Sequence, residues 1–246
     1  FPDLSSDNSG KGVINPTSSS FSAEMQLYLS SIANDNQVVF QKISNDSAAG
    51  FSLFVSESAS TTSGDLYFAV SSGSQVMSAS LTVEKGKFNH ICAVFNRSNT
   101  TSRLEIYKDS QLEATSSNSI NIEDFNIGFN SFLIGSGTVH SSVAPSSLNF
   151  TPQHTLSGAI DEFRFFHSQR GIASQRDNSR RNIWRSPDLK LYFKFNEPTG
   201  SYTSNDVALD SSGNSLHTVI SSFASSLREP LSLISPMTAE RLSNNP

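Results

Sequence analysis

The stretch GAIDEFRFF, Gly158 to Phe166, has the pattern of a β-strand but contains two adjacent carboxylates, Asp161 and Glu162. Successive side chains of a regular strand point to opposite faces of the sheet. We therefore expect Asp161 and Glu162 to lie on opposite faces, where they could not act on the same substrate. Three interpretations are open: a catalytic pair, a metal site, or a structural part of the strand.

The catalytic interpretation can be tested on the spacing of the acidic residues. Glucanases of the laminarinase type use a Glu-x-Asp-x-x-Glu motif, and retaining chemistry needs two carboxyl groups about 5 Å apart. When Asp161 is aligned with the central Asp, the two Glu positions are occupied by Ala159 and Arg164. Gly-x-Ser-x-Gly, His-Glu-x-x-His and Walker motifs are also missing. The sequence predicts that the chain is not an enzyme, and a glycoside hydrolase is the least favoured alternative.

Short strand-like runs separated by Ser, Gly and Asn turns recur along the chain and predict an all-β, antiparallel sandwich or barrel. The runs lie near 19–30, 36–43, 50–56, 64–71, 75–83, 88–96, 102–108, 112–120, 130–136, 156–166 and 188–196.

The clearest run is DLKLYFKFNE, in which apolar and polar residues alternate with period two. Such alternation predicts a half-buried strand, with Lys190, Tyr192 and Lys194 on the face away from the core. One segment, 172–184, has the pattern of a short surface helix.

The composition excludes several classes of protein. A net charge of −5 over 246 residues argues against nucleic acid binding, which favours basic surfaces. No apolar run approaches the roughly 18 residues of a membrane span, so we expect no membrane insertion. The one cysteine, Cys92, excludes an intrachain disulfide, and its apolar surroundings predict a buried core residue.

Arginines are concentrated in one region despite the negative net charge. They form either a solvated helix face or a docking surface for an acidic neighbour. The six are Arg164, Arg170, Arg176, Arg180, Arg181 and Arg185. The last four are the candidates for an interaction surface.

Several motifs in order resemble the laminin-G-like branch of the concanavalin-A-like jelly rolls. They are FSAEMQLYLSS (21–31), KGKFNHICAVFNRSNTTSRLEIYKDSQ (85–111), FLIGSG (132–137) and GAIDEFRFFHSQRG (158–171). The resemblance covers about 21–220 and implies an antiparallel two-sheet jelly-roll sandwich. We expect a lead-in segment over 1–18, a jelly roll over 19–220 closed by the C-terminal strand 188–196, and an extended, Pro-containing arm over 221–246.

The segment 192–220 resembles the first strand of that family but lies near the C-terminal end of this chain. This segment and the arm after it also resemble laminin-G-like domains in structural proteins of marine tailed phages. The resemblance implies a non-enzymatic structural or adhesion module of a virion or other extracellular assembly. Such a module would contact other subunits, form a homo-oligomer and bind host-surface glycan. The alternative is a stand-alone secreted lectin.

The same resemblance suggests calcium as the only cofactor. Calcium takes six to eight oxygen ligands, and Asp161, Asp210 and Asn214 are the candidate ligands. The alternative is that Asp161 caps a bulge and Asp210 makes an Asx-turn. We expect Glu162 to face solvent opposite Lys190 or Lys194.

Sugar sites on such folds usually present exposed aromatic rings. Tyr67, Tyr107 and Trp184 are the leading candidates for stacking on carbohydrate, and Tyr28 and Tyr192 are further ones. Each of these residues has packing within the protein as its alternative role.

Overall fold

The computed structural model describes most of the chain. The described residues are 12–44, 48–72, 75–97, 102–116, 122, 127, 130–142, 148–179, 181–183, 186–197 and 207–221.

Two antiparallel sheets dominate the described residues, and a single short helix accompanies them. In chain order the elements are β1 (Phe21–Leu29), β2 (Gln37–Ile43), β3 (Ala49–Val55), β4 (Ser63–Ser72), β5 (Val76–Glu84), β6 (Phe88–Asn96), β7 (Arg103–Lys108), β8 (Gln111–Thr115), β9 (Leu133–Ile134), β10 (His140–Ser142), β11 (Leu148–Phe150), β12 (Gly158–Phe166), α1 (Ile172–Asn178), β13 (Leu189–Phe193), β14 (Val207–Ala208) and β15 (Thr218–Val219).

The larger sheet has six strands in the order β13-β12-β1-β6-β7-β8, and the smaller has five in the order β5-β4-β3-β2-β9. Two further pairs, β10 with β11 and β14 with β15, form separate two-stranded sheets. None of the helices in the described part of the chain is long and apolar enough to cross a membrane.

Phenylalanine rings from the facing sides of the two sheets fill the core. In β1 the residues Phe21, Ala23 and Met25 point inward. The Phe21 ring lies 4.6 Å from Phe51 of β3 and 5.5 Å from Phe165 of β12. The Phe51 and Phe165 rings are stacked at 5.7 Å, so aromatic contacts join the two sheets directly.

The predicted fold class, an all-β two-sheet sandwich, is confirmed. The eleven predicted runs correspond to β1 through β9, β12 and β13, with ends shifted by a few residues in most cases. The two short pairs, β10–β11 and β14–β15, were not predicted. The helix ends at Asn178, six residues before the predicted end at 184.

The last long strand, β13, forms an edge of the six-stranded sheet, but its faces differ from the prediction. The register shifts between Phe165 and Phe166 of the neighbouring β12. As a consequence Leu189 joins Phe166 and Tyr192 in a cluster outside the main core. Tyr192 is 0 % exposed, so the expectation of a solvated polar face was wrong at this residue. The division of the chain into lead-in, jelly roll and arm stays a prediction, and the arm from 222 lies outside the described residues.

The hairpin β10–β11 covers part of the outer face of the five-stranded sheet. Its His140 is fully buried and bridges two strands through Ser52 Oγ, 2.8 Å from Nδ1, and Ser71 Oγ, 2.7 Å from Nε2. Ser71 donates its own proton to Ala48 O, and Gln41 Nε2 donates to Ser52 Oγ. Nε2 must therefore carry the ring proton and donate to Ser71 Oγ, and Nδ1 must accept a hydrogen bond from the Ser52 hydroxyl, which is the neutral form of the ring.

Burial lowers the pKa of His140 to about 4 from its ordinary value of 6.5. As the pH falls, the unfolded chain protonates this imidazole near pH 6.5, whereas the folded chain does so only near pH 4. The contribution of neutral His140 to the free energy of unfolding is therefore fully present above pH 6.5 and is lost as the pH falls toward 4.

We expect His140→Gln to remove part of the pH dependence of folding. The contribution of His140 to the free energy of unfolding should fall by about 2 kcal/mol between pH 7.5 and pH 5. Urea unfolding of wild type and variant at the two pH values would measure this change as a difference between the two proteins. The difference removes the effect of His90, because burial lowers the pKa of His90 in both. His154→Gln, at an exposed histidine, is the matched control. Equal pH dependence of wild type and His140→Gln would contradict the expectation.

Candidate functional site

A β-bulge places Glu162 on the outer face of the six-stranded sheet. Glu24 of β1 pairs with Arg164, and Gln26 pairs with Asp161, so two residues of β12 lie opposite one of β1. Glu162 adopts a φ of 53°, which a regular strand does not contain. The expectations of strict alternation at Asp161 and Glu162, and of a solvent-facing Glu162, were therefore wrong. Glu162 is only 6 % exposed.

Glu162 belongs to a buried charged network around Arg164, which is 1 % exposed. Glu162 Oε2 accepts hydrogen bonds from Arg164 Nη2 at 2.9 Å and from the Tyr192 hydroxyl. Burial raises the pKa of Tyr192, so the phenol keeps its proton and acts as the donor. On the other side Glu24 lies 3.6 Å from Arg164 Nη1 and accepts from Arg170 Nε at 2.8 Å.

The network also holds the chain segment that covers this face. Arg164 Nη1 donates to Asn178 O, and Nη2 donates to Arg181 O, each at 2.7 Å. Gln26 Nε2 donates to Ser179 O in the same segment. The carboxylates of Glu24 and Glu162 are therefore paired with guanidinium groups beneath α1 and the residues that follow it.

Of the predicted calcium ligands, Asp161 lies in the bulge of β12, and Asp210 and Asn214 lie in the turn that follows β14. Asp210 accepts four hydrogen bonds, from Tyr192 N, Ser212 N, Ser212 Oγ and Leu216 N, at 2.8 to 3.0 Å. The bond from Ser212 N makes an Asx-turn. Asn214 Nδ2 donates to the carbonyls of two residues of β13.

These contacts do not fit a calcium cage. Both Asp210 oxygens already accept protein donors, and Asp161 Oδ1 accepts from Glu162 N within the bulge. Within the ranges that the structure describes, no group of three or more His, Cys, Asp or Glu side chains could hold a metal ion. The contacts correspond to the capping alternative, and calcium binding by Asp161, Asp210 and Asn214 stays a prediction.

The arginines do not form one surface. Arg164 is buried and Arg170 is largely buried against Glu24, with its guanidinium 4.5 Å from the centre of the Phe166 ring. The interpretation as one solvated face was therefore wrong for these two. Arg176 and Arg181 are exposed. Arg180 and Arg185 lie outside the described residues.

The aromatic candidates for carbohydrate stacking differ in exposure. Tyr107 is 5 % exposed and donates its hydroxyl proton to Glu105 Oε2 at 2.7 Å, so its ring packs within the protein. Trp184 lies outside the described residues. Tyr28 is half-buried, 5.5 Å from the Phe88 ring on the six-stranded sheet. Tyr67 is half-buried on the outer face of the five-stranded sheet.

Tyr67 lies on a polar surface of β4 and β5 that the described residues leave uncovered. On one side its ring is nearly parallel to Phe54, with 5.5 Å between centroids, and Phe54 stacks on Phe150 of the β10–β11 hairpin at 3.9 Å. On the other side it pairs with the exposed Ser80. We call the outer face of β4–β5 around Tyr67 the Tyr67 face.

Two further polar residues of the Tyr67 face were not predicted as site residues. Asp65 is half-exposed and pairs in register with Thr82, which is exposed and donates from Oγ1 to Asp65 Oδ1 at 2.7 Å. Asp65 and Tyr67 lie two positions apart in β4, so their side chains share a face. The alternation in GDLYFAV and SASLTVE contained this signal, because Leu66 and Phe68 had to point into the core.

The sequence and the fold were compared with those of known proteins. Residues 8–173 match the laminin-G-type family described as the concanavalin A-like lectin/glucanases superfamily. No match is found among curated proteins.

Three solved structures are similar at low sequence identity. A proposed carbohydrate-binding protein from Bacteroides ovatus ATCC 8483 has a TM-score of 0.53 and 14 % identity, over 83 % of this chain and 55 % of that one. A heptameric SAP-like pentraxin from Limulus polyphemus has a TM-score of 0.46 and 14 % identity, over 66 % of this chain and 70 % of that one. Tailspike protein 2 of Escherichia coli O157:H7 bacteriophage CAB120 has a TM-score of 0.46 and 10 % identity, over 75 % of this chain and 25 % of that one.

The chain thus spans about half the length of the Bacteroides protein. At 14 % identity the likeness to the Bacteroides structure is one of fold alone. The family match covers more than half of the chain and agrees with the two-sheet architecture. The chain belongs to the concanavalin A-like lectin/glucanase superfamily.

Proposed function

We propose that the chain is a non-enzymatic adhesion module of a virion or other extracellular assembly, and that it binds cell-surface glycan on the Tyr67 face. The observation that carries the proposal is the combination of a half-buried aromatic ring with Asp65, Ser80 and Thr82 on a sheet surface that the described residues leave uncovered. An aromatic ring offers apolar area to a sugar face, and the neighbouring polar groups match its hydroxyls.

The other sheet supports a structural role for the acidic residues of β12. A glycosidase needs one carboxyl group that donates a proton and a second one that attacks or activates water. Here Glu24 and Glu162 are both paired with arginines and covered by the segment around α1. These contacts favour a binding module over the hydrolase alternative.

The assembly role and the alternative of a stand-alone secreted lectin differ in self-association. A module of a homo-oligomeric assembly should contain more than one chain per particle in light scattering of the purified protein. A monomer that binds glycan would favour the stand-alone lectin.

We expect Tyr67→Ala to lower glycan affinity about tenfold or more, because the ring supplies the apolar contact area of the site. A glycan array would identify the ligand, and calorimetry would compare the variants. Tyr28→Ala is the matched control, since Tyr28 is also half-buried but lies on the other sheet. Equal affinity of wild type and Tyr67→Ala, or equal losses in the two variants, would contradict the proposed site.

The same array in calcium and in EDTA tests the metal prediction. Binding that requires calcium would support Asp161, Asp210 and Asn214 as ligands. Binding that persists in EDTA would leave these residues with their turn and bulge contacts alone.

We expect Arg164→Ala to lower the free energy of unfolding by about 3–5 kcal/mol, because it leaves Glu24 and Glu162 buried with less compensating charge. Arg164→Lys should recover only part of this loss, since an ammonium group cannot reproduce the fork of donors. Urea unfolding would measure both. Arg176→Ala, at an exposed position of α1, should stay within about 0.5 kcal/mol of wild type. Similar stability of Arg164→Ala and Arg176→Ala would contradict a structural role for the network.

A further inference from the structure

The Tyr67 face carries a single carboxylate beside its aromatic ring. Asp65 lies two positions from Tyr67, about 7 Å along the strand. Thr82 Oγ1 donates to Asp65 Oδ1 at 2.7 Å and so fixes the orientation of the carboxylate. No second protein donor to this carboxylate occurs among the residues that the structure describes, so Oδ2 remains available as an acceptor on an exposed surface.

The charges within the strands nearest Asp65 have one sign, and the neighbouring Lys85 directs its ammonium group to Asn34 Oδ1 and Ser60 O. The charged side chains of β3, β4 and β5 are Asp65 and Glu84, and both are acidic. Glu84 is paired with Lys87 beyond the end of β5. Asp65 is therefore the carboxylate of these three strands that lacks a cation among the described residues, and it lies next to the ring on which a sugar would stack.

A carboxylate accepts hydrogen bonds and donates none. A sugar stacked on Tyr67 can offer hydroxyl or ammonium donors to Asp65 Oδ2, and bonds to a charged acceptor are the stronger kind. A uronate or sulfate at the same place would bring like charges together, which is unfavourable.

We propose that Asp65 is the specificity-determining residue of the Tyr67 face and selects neutral and amino-bearing glycans over acidic ones. This inference rests on the proposed function, because it assumes that the glycan stacks on Tyr67. A purely structural cross-strand bond between Asp65 and Thr82 would change stability without changing the preference among ligands.

The test compares the affinities of glucose, glucosamine and galacturonate oligomers of matched length. Wild type should bind the glucosamine oligomer best and the galacturonate oligomer worst. In Asp65→Asn the Thr82 hydroxyl can still donate to the amide oxygen, but the negative charge is lost. We expect the ratio of glucosamine-oligomer to galacturonate-oligomer affinity to fall about tenfold at low salt, and less at high salt.

Glu113→Gln is the matched control, because it removes the same charge from an exposed position of β8 on the other sheet. Its affinity ratio should equal that of wild type. An unchanged ratio in Asp65→Asn, or the same change in Glu113→Gln, would overturn the role of Asp65.

Tyr67→Ala separates this inference from the proposed function. Loss of binding in Tyr67→Ala with an unchanged ratio in Asp65→Asn would overturn the specificity role and leave the site in place. Absence of binding by wild type to every oligomer, the acidic one included, would overturn both. A wild-type preference for the galacturonate oligomer would overturn the proposed selectivity alone.

Discussion

The ion pairs and hydrogen bonds of the buried Arg164 guanidinium hold the arrangement of the six-stranded sheet. The guanidinium joins Glu162 of the bulge and Tyr192 of the edge strand to the carbonyls of Asn178, at the end of α1, and of Arg181 after it. A charge at this depth is tolerated only when paired and hydrogen-bonded. The bulge supplies the pairing, because it brings Glu162 to the side of the sheet where Arg164 lies.

Different parts of the chain cover the outer faces of the two sheets. The described residues of the segment 167–183 lie against the outer surface of β1 and β12, and the hairpin β10–β11 covers β2, β3 and part of β4. The two covers are held differently, one by ion pairs and the other by a neutral histidine between two serines. None of the described residues covers the outer surface of β5 and the adjoining part of β4, and there the exposed hydroxyls and Tyr67 are found.

The strands could be predicted from the sequence because alternation and turn residues are local signals. A bulge capped by Asp161 was one of the alternatives, but the buried position of Glu162 could not be predicted, since its positive φ is uncommon outside glycine and its contacts are with Arg164 and Tyr192. The exposure of the tyrosines was equally hidden. Tyr67 and Tyr107 both point outward from strands, and Tyr107 is covered because Glu105 and the residues near Gln169 lie beside it. Such contacts join positions far apart in the chain.

Asp161 and Glu162 form an adjacent acidic pair in the sequence, but in the structure they take part in a bulge and in an ion-pair network. With Ala159 and Arg164 at the two neighbouring motif positions, an arginine replaces one acid and neutralises those that remain nearby. The resulting network binds the covering segment, which occupies the surface that an open site on this sheet would need. The proposed ligand site therefore lies on the opposite sheet, where no described residue covers the surface and the carboxylate of Asp65 accepts from a hydroxyl.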